Sequence, residues 1–220
     1  MTGVPSPSGI SAPTPDAIRP MTKADVSAVV KVHITSFPGF FLTFLGPSFL
    51  RELYSAIVAD SDGISFVAFD GSGINGFVAG TVQPKGFYRR LLRQRWWRFA
   101  LAAVVPTLKH PAIVPRLLRA FSMPEQVTHE TKRGTLMSIA VLPALQGKHI
   151  GRALVSTFLD ESIRRGLRQV DLTTDRDGNE AANHFYRKMG FVCERSYVTP
   201  EGRAMNEYVI DLLGSRPSSK

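Results

Sequence analysis

Eight residues between a predicted strand and a predicted helix carry the clearest chemical signal in the chain, Gln146-Gly-Lys-His-Ile-Gly-Arg-Ala153. The start of a helix leaves several backbone N–H groups without intrahelical partners and carries a partial positive charge. Gly147 and Gly151 keep side chains away from a bulky anion, while Lys148 and Arg152 add positive charge. The segment therefore predicts a turn that binds a pyrophosphate without a metal.

A glycine-containing turn of this kind does not always bind phosphate. The simplest alternative is a tight strand-to-helix turn that uses Gly147 and Gly151 for backbone geometry alone. A Walker A loop is excluded because these glycines have the wrong spacing and no Lys-Ser or Lys-Thr pair follows them. A dinucleotide-binding fingerprint is excluded because it needs three glycines and only two are present. Taken alone, the turn leaves phosphate binding and pure geometry open.

A second pattern follows about one strand downstream, in Asn179-Glu-Ala-Ala-Asn-His-Phe-Tyr-Arg-Lys-Met-Gly-Phe191. Together the two segments resemble the GNAT N-acetyltransferase superfamily, with its motifs Gln/Arg-x-x-Gly-x-Gly/Ala and Asn-x-x-Ala-x-x-Phe-Tyr-x-x-x-Gly-Phe. Gln146 and Gly151 match the first motif, whereas His149 stands where a glycine is usual. If that site requires a positive φ, histidine suits it less well than glycine. The resemblance covers roughly residues 18–212 and is strongest over 134–192.

The resemblance implies that the protein binds acetyl-CoA in a V-shaped gap between its fourth and fifth strands. Backbone groups of Ile139, Ala140 and Val141 would pair with the pantetheine arm, the alternative being pairing within the sheet. Tyr186 would protonate the leaving thiolate, the alternative being a buried core tyrosine. Asn179 would bond the cofactor, cap its helix, or do both. The other residues implied for cofactor binding are Gln146, Gly147, Lys148, His149, Ile150, Gly151, Arg152, Ala153 and Ala182, with Tyr186 beside them.

The general base is less well defined than the acid. Glu130 is the first choice, because bases of the resembled superfamily often precede the fourth strand, and His129 lies beside it. Further candidates are His33, Asp175 and His184, and a water chain without a dedicated base stays open. Cys193 is expected to be a packed strand residue rather than a nucleophile, since direct transfer needs no acyl-enzyme.

The elements that position these residues are predicted from hydrophobic periodicity and turn signals. The predicted strands are 17–20, 64–70, 74–82, 135–141, 169–174, 191–197 and 204–211, and the helices after the turn are 150–165 and 180–189. The strand–helix alternation in the second half predicts parallel neighbours within a mixed sheet. The expected fold class is α/β (mixed α+β), a GNAT-like, mostly antiparallel mixed sheet with one splayed parallel pair and helices on both faces.

We expect a single domain over residues 17–213 with a helical insertion at 85–121, a disordered tail at 1–16 and a flexible tail at 214–220. The 220-residue chain has a formal net charge of +9, and nine Lys and Arg without any acid lie between Asp70 and Glu125. Basic residues with tryptophan and apolar runs suit a lid over the acceptor or an anionic membrane surface better than nucleic acid. The alternative is a helical hairpin whose arginines are simply solvated.

Composition narrows the class of protein. Hydrophobic residues make up 44% and charged residues 20%, as in a globular protein with a full core. One cysteine excludes an intrachain disulfide and a zinc site built on several cysteines. The first sixteen residues lack a secretory signal pattern, and the longest apolar run, residues 99–105, is too short to span a bilayer. We expect a cytoplasmic protein, with peripheral membrane contact left open.

The combined expectation is an acetyl-CoA-dependent N-acetyltransferase that transfers the acetyl group directly to an amine, such as an amino sugar or another small molecule, without a metal. The alternatives are a protein or peptide N-acetyltransferase and a non-catalytic acyl-CoA-binding or membrane-surface module. We expect a monomer or a homodimer, with no nucleic-acid partner.

Overall fold

The computed structural model describes residues 17–87, 90 and 132–213. A seven-stranded sheet runs through them in the order β1-β2-β3-β4-β5-β7-β6. The strands are β1 (Ala17–Pro20), β2 (Gly63–Asp70), β3 (Gly73–Thr81), β4 (Arg133–Val141), β5 (Gln169–Asp175), β6 (Val192–Val198) and β7 (Ala204–Asp211). Neighbouring strands are antiparallel except for β4 and β5, which are parallel. The predicted mixed, mostly antiparallel sheet with one parallel pair is confirmed.

Helices cover both faces of this sheet. Those in the described part of the chain are α1 (Val26–Ser36), α2 (Phe41–Phe44), α3 (Gly46–Ala59), α4 (Ile150–Arg164) and α5 (Glu180–Lys188). One apolar core lies between the sheet and α1 to α3, and the other between the sheet and α4 and α5. Because successive strand residues point to opposite faces, Phe77 and Ala79 of β3 join the first core and Val78 joins the second.

Several predicted features lie outside the described residues. They are both tails, most of the basic insertion, Glu130 and His129. The start of the insertion is held on the α1–α3 face, where Phe87 is buried in the first core. Arg90 lies 3.5 Å from Asp62, in the turn before β2. The first described residues of the insertion therefore pack on the side that carries α1 and α3.

The parallel strands β4 and β5 pair over only three residues each. Residues 133–135 pair with residues 169–171, and β4 then continues to Val141 without a β5 partner. At the last pair, the Thr135 hydroxyl donates to the Asp171 carboxylate at 2.6 Å. The strands diverge from this point and leave a V-shaped gap, so the predicted splayed pair is confirmed.

A network of charged and polar groups, in which Arg133 and Asp171 are buried and Glu194 is exposed, closes the vertex of the gap. Arg133 donates to Gln169 and to both carboxylate oxygens of Glu194, the latter at 2.9 and 3.1 Å. Its guanidinium also lies 3.9 Å from Asp171. Burial raises the pKa of Asp171, against the opposing effects of the hydrogen bond from Thr135 and the charge of Arg133. Losing one partner would leave the others dehydrated and unpaired, so the network fixes where the two strands separate.

A β-bulge in β4 lies just beyond the vertex. Ser138 pairs with Ala79 of β3 and Leu136 pairs with Gly80, so Met137 has no partner in β3. The extra residue places Ser138 on the same face as Met137, the face covered by α1 and α3. Ser138 thereby comes within reach of the side chains of α3.

A polar chain crosses the core between α1, α3 and β4. His33 Nδ1 lies 2.7 Å from the Tyr54 hydroxyl, which lies 3.2 Å from Ser138 Oγ. The imidazole packs against the rings of Phe37 and Phe77. Burial lowers the pKa of His33 to about 4. The imidazole is therefore neutral in the folded protein at neutral pH.

The buried imidazole predicts a loss of stability in mild acid. Below the ordinary pKa of 6.5, the unfolded chain binds a proton on His33 that the folded protein, with a pKa of about 4, does not bind. Stability is therefore present above pH 6.5 and lost as pH falls, by about 2 kcal/mol at pH 5. Denaturant unfolding at pH 7 and pH 5 should show the stability difference between wild type and His33→Asn shrinking by that amount.

Tyr54→Phe is the control, since it removes a hydroxyl from the same polar chain and leaves the imidazole buried. This variant should keep the wild-type dependence of stability on pH. Parallel profiles for wild type and His33→Asn would contradict a buried, neutral His33.

Candidate active site

The predicted phosphate turn leads into a helix with an uncapped start. A short 3-10 turn, Pro143–Leu145, follows β4 and precedes the phosphate turn. The N-cap residue of α4, His149, makes no side-chain capping hydrogen bond. The Ala153 N–H donates to the His149 carbonyl at 3.0 Å, so the N–H groups of residues 150–152 precede the first intrahelical bond. This helix end offers backbone donors where the sequence predicts an anion.

Two residues of the turn have a left-handed backbone. Gly147 has a φ of +83° and His149 a φ of +64°. In the described part of the chain, His149 is the only residue other than glycine with a positive φ. An L-residue in this conformation is strained by about 1–2 kcal/mol. The position where the first motif usually has glycine thus keeps the geometry of glycine with a histidine side chain.

Gly151 lies in the first turn of α4, where helix geometry does not require glycine. Glycine in a helix costs about 1 kcal/mol relative to alanine. A Cβ built on Gly151 would meet Phe185 and Val141 at 3.8 Å, an ordinary van der Waals distance. The described protein atoms therefore leave room for alanine, in agreement with the first motif, which accepts glycine or alanine at this position.

The same contacts join the two sequence motifs in space. Phe185 of the second motif and Val141 at the end of β4 both border Gly151 of the first motif. Ala182 and Phe185 are half-buried in the core beneath α4. The start of α4, the end of β4 and the inner side of α5 therefore form one wall of the gap.

The open edge of β4 presents alternate backbone groups to this gap. The Leu142 N–H donates to the carbonyl of Asn75 in β3 at 2.8 Å, so Leu142 faces β3. Because the direction alternates along a strand, Ala140 also faces β3, whereas Ile139 and Val141 face the gap. Of the three residues predicted for backbone pairing, two therefore have the required direction.

Asn179 lies where α5 begins, next to the end of β5. It occupies the N-cap position but makes no side-chain capping hydrogen bond. Its Nδ2 instead donates to the Thr174 hydroxyl at 2.7 Å. The side chain therefore joins α5 to β5, beside the gap.

Asn183 is a structural centre that the sequence motifs do not reveal. Its buried amide donates to the carbonyls of Asp175 and Asn179 at 2.9 and 2.8 Å. Its carbonyl oxygen accepts hydrogen bonds from Asn206 and Tyr208, both at 2.9 Å. One side chain thus connects α5 to β5 and β7, and orients the helix that carries Tyr186.

Tyr186 is buried on α5 with 8% of its surface exposed. Its ring contacts those of Phe185, Phe191 and Tyr208. Burial raises the pKa of Tyr186 to about 12, so the hydroxyl keeps its proton at neutral pH. The packing is that of a core tyrosine, and the retained proton is what a proton donor needs.

The other candidates for the general base lie in different environments. His33 belongs to the buried polar chain, and His184 is exposed on α5. The Asp175 carboxylate accepts hydrogen bonds from Arg203 at 2.7 and 2.8 Å. Cys193 is exposed on the edge strand β6, so the prediction of a packed cysteine is wrong. The reason is that every residue of β6 is exposed.

An aromatic loop and an ion pair meet on the α1–α3 side of the gap. The rings of Phe37 and Phe40, between α1 and α2, lie 5.1 Å apart. Arg203, in the hairpin between β6 and β7, lies 6.0 Å from the ring centre of Phe40 and also pairs with Asp175. The ends of β5, the hairpin and the aromatic loop are thus connected through one guanidinium.

The described residues offer neither a metal cluster nor a membrane span. Among them, no group of three or more His, Cys, Asp or Glu side chains could hold a metal ion. None of the helices in that part of the chain has the length and apolar character needed to cross a bilayer.

A sequence model of the acetyltransferase (GNAT) family matches residues 33–191. The chain belongs to the GNAT acetyltransferase family. The matched region contains both motifs, the splayed strands and the helices α4 and α5. The expected family is therefore confirmed, and with it an acyltransferase fold for this GNAT protein.

Two curated relatives of this GNAT protein act on different kinds of acceptor, according to their names. Mycothiol acetyltransferase of Gordonia bronchialis is 34% identical over 98 residues, 43% of this chain and 31% of that protein. The ribosomal protein bS18-alanine N-acetyltransferase of Escherichia coli is 34% identical over 90 residues, 39% of this chain and 58% of that protein. The matches thus span about a third of the first relative and less than two thirds of the second.

Solved GNAT structures share the fold. The Escherichia coli ribosomal-protein-S18-alanine N-acetyltransferase has a TM-score of 0.56 at 16% identity, covering 93% of this chain and 99% of that one. The PaiA N-acetyltransferase of Thermoplasma acidophilum, solved in complex with coenzyme A, has a TM-score of 0.55 at 15% identity, covering 88% and 98%. At this identity the likeness concerns the fold alone.

The left-handed backbone of His149 in this GNAT protein allows a test of backbone strain. Glycine adopts the φ of +64° at position 149 without the steric cost that histidine carries. His149→Gly should therefore stabilise the protein by about 1 kcal/mol in guanidinium unfolding. Lys148→Gly is the neighbouring control, because Lys148 has no positive φ and should lose stability on substitution. A destabilised His149→Gly would mean that the imidazole makes contacts worth more than the strain.

Proposed function

We propose that this GNAT protein is an acetyl-CoA-dependent N-acetyltransferase that transfers the acetyl group directly to an amine. The observation that carries the proposal is the uncapped start of α4, placed directly after a strand with a free edge. The helix end offers N–H donors for a pyrophosphate, and the strand edge offers N–H and C=O groups for an extended pantetheine arm. Both belong to one continuous segment, so a single ligand can use both.

The turn supplies the pyrophosphate site in this proposal. The backbone groups at the helix start donate, the left-handed residues curve the chain around the anion, and the lysine and arginine add positive charge. The residues assigned to it are Gln146, Gly147, Lys148, His149, Ile150, Gly151, Arg152 and Ala153. Ile139 and Val141 would pair with the pantetheine arm, while Asn179 and Ala182 would border it from the α5 side.

The chemistry needs one proton donor and one proton acceptor. The amine nitrogen attacks the thioester carbon, a C–N bond forms, the C–S bond breaks, and the thiolate takes a proton while the nitrogen loses one. Tyr186 suits the donor role because its hydroxyl stays protonated at neutral pH. We propose Glu130 as the acceptor. His33 and Asp175 suit it less, since burial lowers the pKa of the first and Arg203 occupies the second.

We propose a small-molecule amine, such as an amino sugar, as the acceptor. Arg203 contacts the ring of Phe40 and so joins the β6–β7 hairpin to the aromatic loop, on the side of the gap where the acceptor would enter. This contact leaves less room for an extended peptide. The name of the Gordonia relative, a mycothiol acetyltransferase, fits this class. The name of the Escherichia coli relative supports a protein N-terminus as the second candidate.

The basic insertion adds a further element to the proposal. Its run of nine cations between Asp70 and Glu125 suits contact with an anionic membrane surface or with the acceptor, rather than with nucleic acid. We therefore propose a cytoplasmic monomer or homodimer that contacts the membrane surface peripherally. Adding anionic vesicles to the assays below tests the membrane contact.

Thiol release from acetyl-CoA tests the function across a panel of amino sugars, polyamines and peptides with a free N-terminus. Wild type should release thiol with at least one small-molecule amine. Tyr186→Phe should lower this turnover by about 100-fold or more, since general acids contribute that much, without changing the Kd for coenzyme A. The wild-type rate should not fall through deprotonation of Tyr186 up to about pH 10, because the pKa of this tyrosine is about 12.

The outcomes separate the alternatives. Coenzyme A binding without turnover for any amine would favour a non-catalytic acyl-CoA module. Turnover confined to peptides would replace the small-molecule acceptor with a protein. An unchanged rate for Tyr186→Phe would remove Tyr186 from the mechanism, and no coenzyme A binding at all would reject the proposal.

Gly151→Ala tests the phosphate turn separately from the chemistry. Alanine is the better helix former and fits the free protein, so the unliganded variant should be more stable by about 1 kcal/mol. The new methyl group would face Phe185 and Val141, and the first motif accepts alanine at this position, so the Kd for coenzyme A in calorimetry should stay within about twofold of wild type. Thr157→Ala, further along α4, is the control that raises helix propensity without approaching the turn. A Kd raised tenfold or more in Gly151→Ala, but not in the control, would show that the anion approaches the backbone too closely for a methyl group.

A further inference from the structure

The polar chain His33–Tyr54–Ser138 has one unusual feature. His33 is 3% exposed, and its Nε2 is buried without a hydrogen-bond partner among the described residues. A neutral imidazole carries one N–H, on either Nδ1 or Nε2. A proton on Nε2 would be a buried, unpaired donor, which is costly, whereas a proton on Nδ1 is used by the Tyr54 oxygen at 2.7 Å. The surroundings therefore select the Nδ1–H tautomer.

This tautomer gives the chain a direction. Nδ1–H of His33 donates to the Tyr54 oxygen, so the Tyr54 hydroxyl donates onward to Ser138 Oγ at 3.2 Å. With its oxygen already accepting, Ser138 has its own proton left to donate. The tautomer of the buried His33 thus determines that the Ser138 hydroxyl is a hydrogen-bond donor.

The outer end lies at the gap between β4 and β5. Ser138 follows the last β4–β5 pair, at Thr135 and Asp171, and its side chain is half-buried. The bulge at Met137 turns this side chain to the face of α1 and α3, the side assigned to the acceptor. It lies three residues, roughly 10 Å, back along β4 from Val141, where the strand ends before the phosphate turn. A thioester whose arm follows β4 away from that turn would pass this point.

We propose that the Ser138 hydroxyl is a catalytic donor to the acetyl carbonyl oxygen, aimed by Tyr54 and His33 as positioning residues. As the amine attacks the carbonyl carbon, negative charge builds on that oxygen, and a donor already oriented toward it stabilises the charge without reorganisation. This inference rests on the proposed acetyl-CoA site. It adds a side-chain donor for the carbonyl oxygen, beside the backbone groups of Ile139 and Val141 that would pair with the arm.

Carbon-13 NMR of acetyl-CoA labelled at the acetyl carbonyl tests the contact without a known acceptor. Binding to wild type should move the carbonyl resonance downfield, and Ser138→Ala should lose most of that displacement while keeping the Kd for coenzyme A. Ser162→Ala is the matched control, because it removes another buried serine hydroxyl, bonded to the Phe158 carbonyl at 2.8 Å within α4. With an active amine, Ser138→Ala should also lower turnover roughly 100-fold.

Failure of the inference is distinct from failure of the function. A wild type that does not bind acetyl-CoA rejects the acetyl-CoA site itself. Binding with the same carbonyl shift in wild type and Ser138→Ala overturns the role of Ser138 alone. A shift lost equally in Ser162→Ala would show a general effect of losing a buried hydroxyl, and would overturn it as well.

Nitrogen-15 NMR of the imidazole tests the direction of the chain. Wild type should show His33 with its proton on Nδ1 at neutral pH. Tyr54→Phe should keep the Ser138 hydroxyl but lose part of the carbonyl displacement, since the hydroxyl is no longer aimed. A proton on Nε2 would reverse the hydrogen bonds, so that Ser138 donates to Tyr54 and has no proton left for the acetyl carbonyl, which overturns the proposal.

Discussion

The divergence of β4 from β5 after Thr135 and Asp171 is the constraint on which the rest of the structure depends. Two parallel strands that stay paired leave no free edge, whereas strands that separate too early lose sheet hydrogen bonds to water. The vertex is held by buried ions, and burying ions costs free energy unless all of them are paired. Arg133 meets that condition with Gln169, Glu194 and Asp171. The gap therefore opens at a defined residue.

Backbone strain and poor helix propensity are concentrated at the start of α4, the next element after β4 that borders the gap. His149 is held at a φ of +64°, and Gly151 occupies a helical position that alanine would fill without a clash. Neither residue helps the unliganded protein fold, and both shape the start of α4. Local cost of this kind is found where a ligand approaches the backbone closely. The contacts of Phe185 with Gly151 tie this turn to α5, so the position of Tyr186 depends on the same packing.

Much of the fold was predictable from the sequence because it depends on local signals. Alternating apolar residues marked the strands, and the predicted 17–20 and 204–211 agree with β1 and β7 at both ends. The turn before α4 was predictable because glycine, charge and a helix start are neighbours in the chain, while its binding of phosphate stays a prediction. The GNAT resemblance supplied the splay, which periodicity alone does not encode. The family pattern also marked position 149 as unusual, in agreement with its positive φ.

The parts that could not be predicted arise from partners distant in sequence. Tyr54 and Ser138 are 84 positions apart, and Asn183 and Tyr208 are 25 apart, so neither pairing leaves a local pattern. The bulge at Met137 adds a residue to β4 without a glycine or proline beside it in that strand. A cysteine in an alternating strand pattern gave no sign that its strand would be an exposed edge. In each case the outcome depends on whether a tertiary contact forms, and the local sequence does not show this.

The two faces of β5 differ in polarity, and this difference bears on the side from which the proposed acceptor would approach the gap. Val170 and Leu172 join the apolar core under α4 and α5, while the alternate residues Asp171 and Asp175 point to the opposite face. On that face Asp171 is buried beside Thr135 and Arg133, and the half-buried Asp175 carboxylate is held by Arg203. A polar face needs water or a polar partner, because dehydrated carboxylates are costly. We therefore expect the amine to approach from this side. In the proposed function the nucleotide end of acetyl-CoA binds at the start of α4, so the two substrates would meet at the gap without competing for one surface.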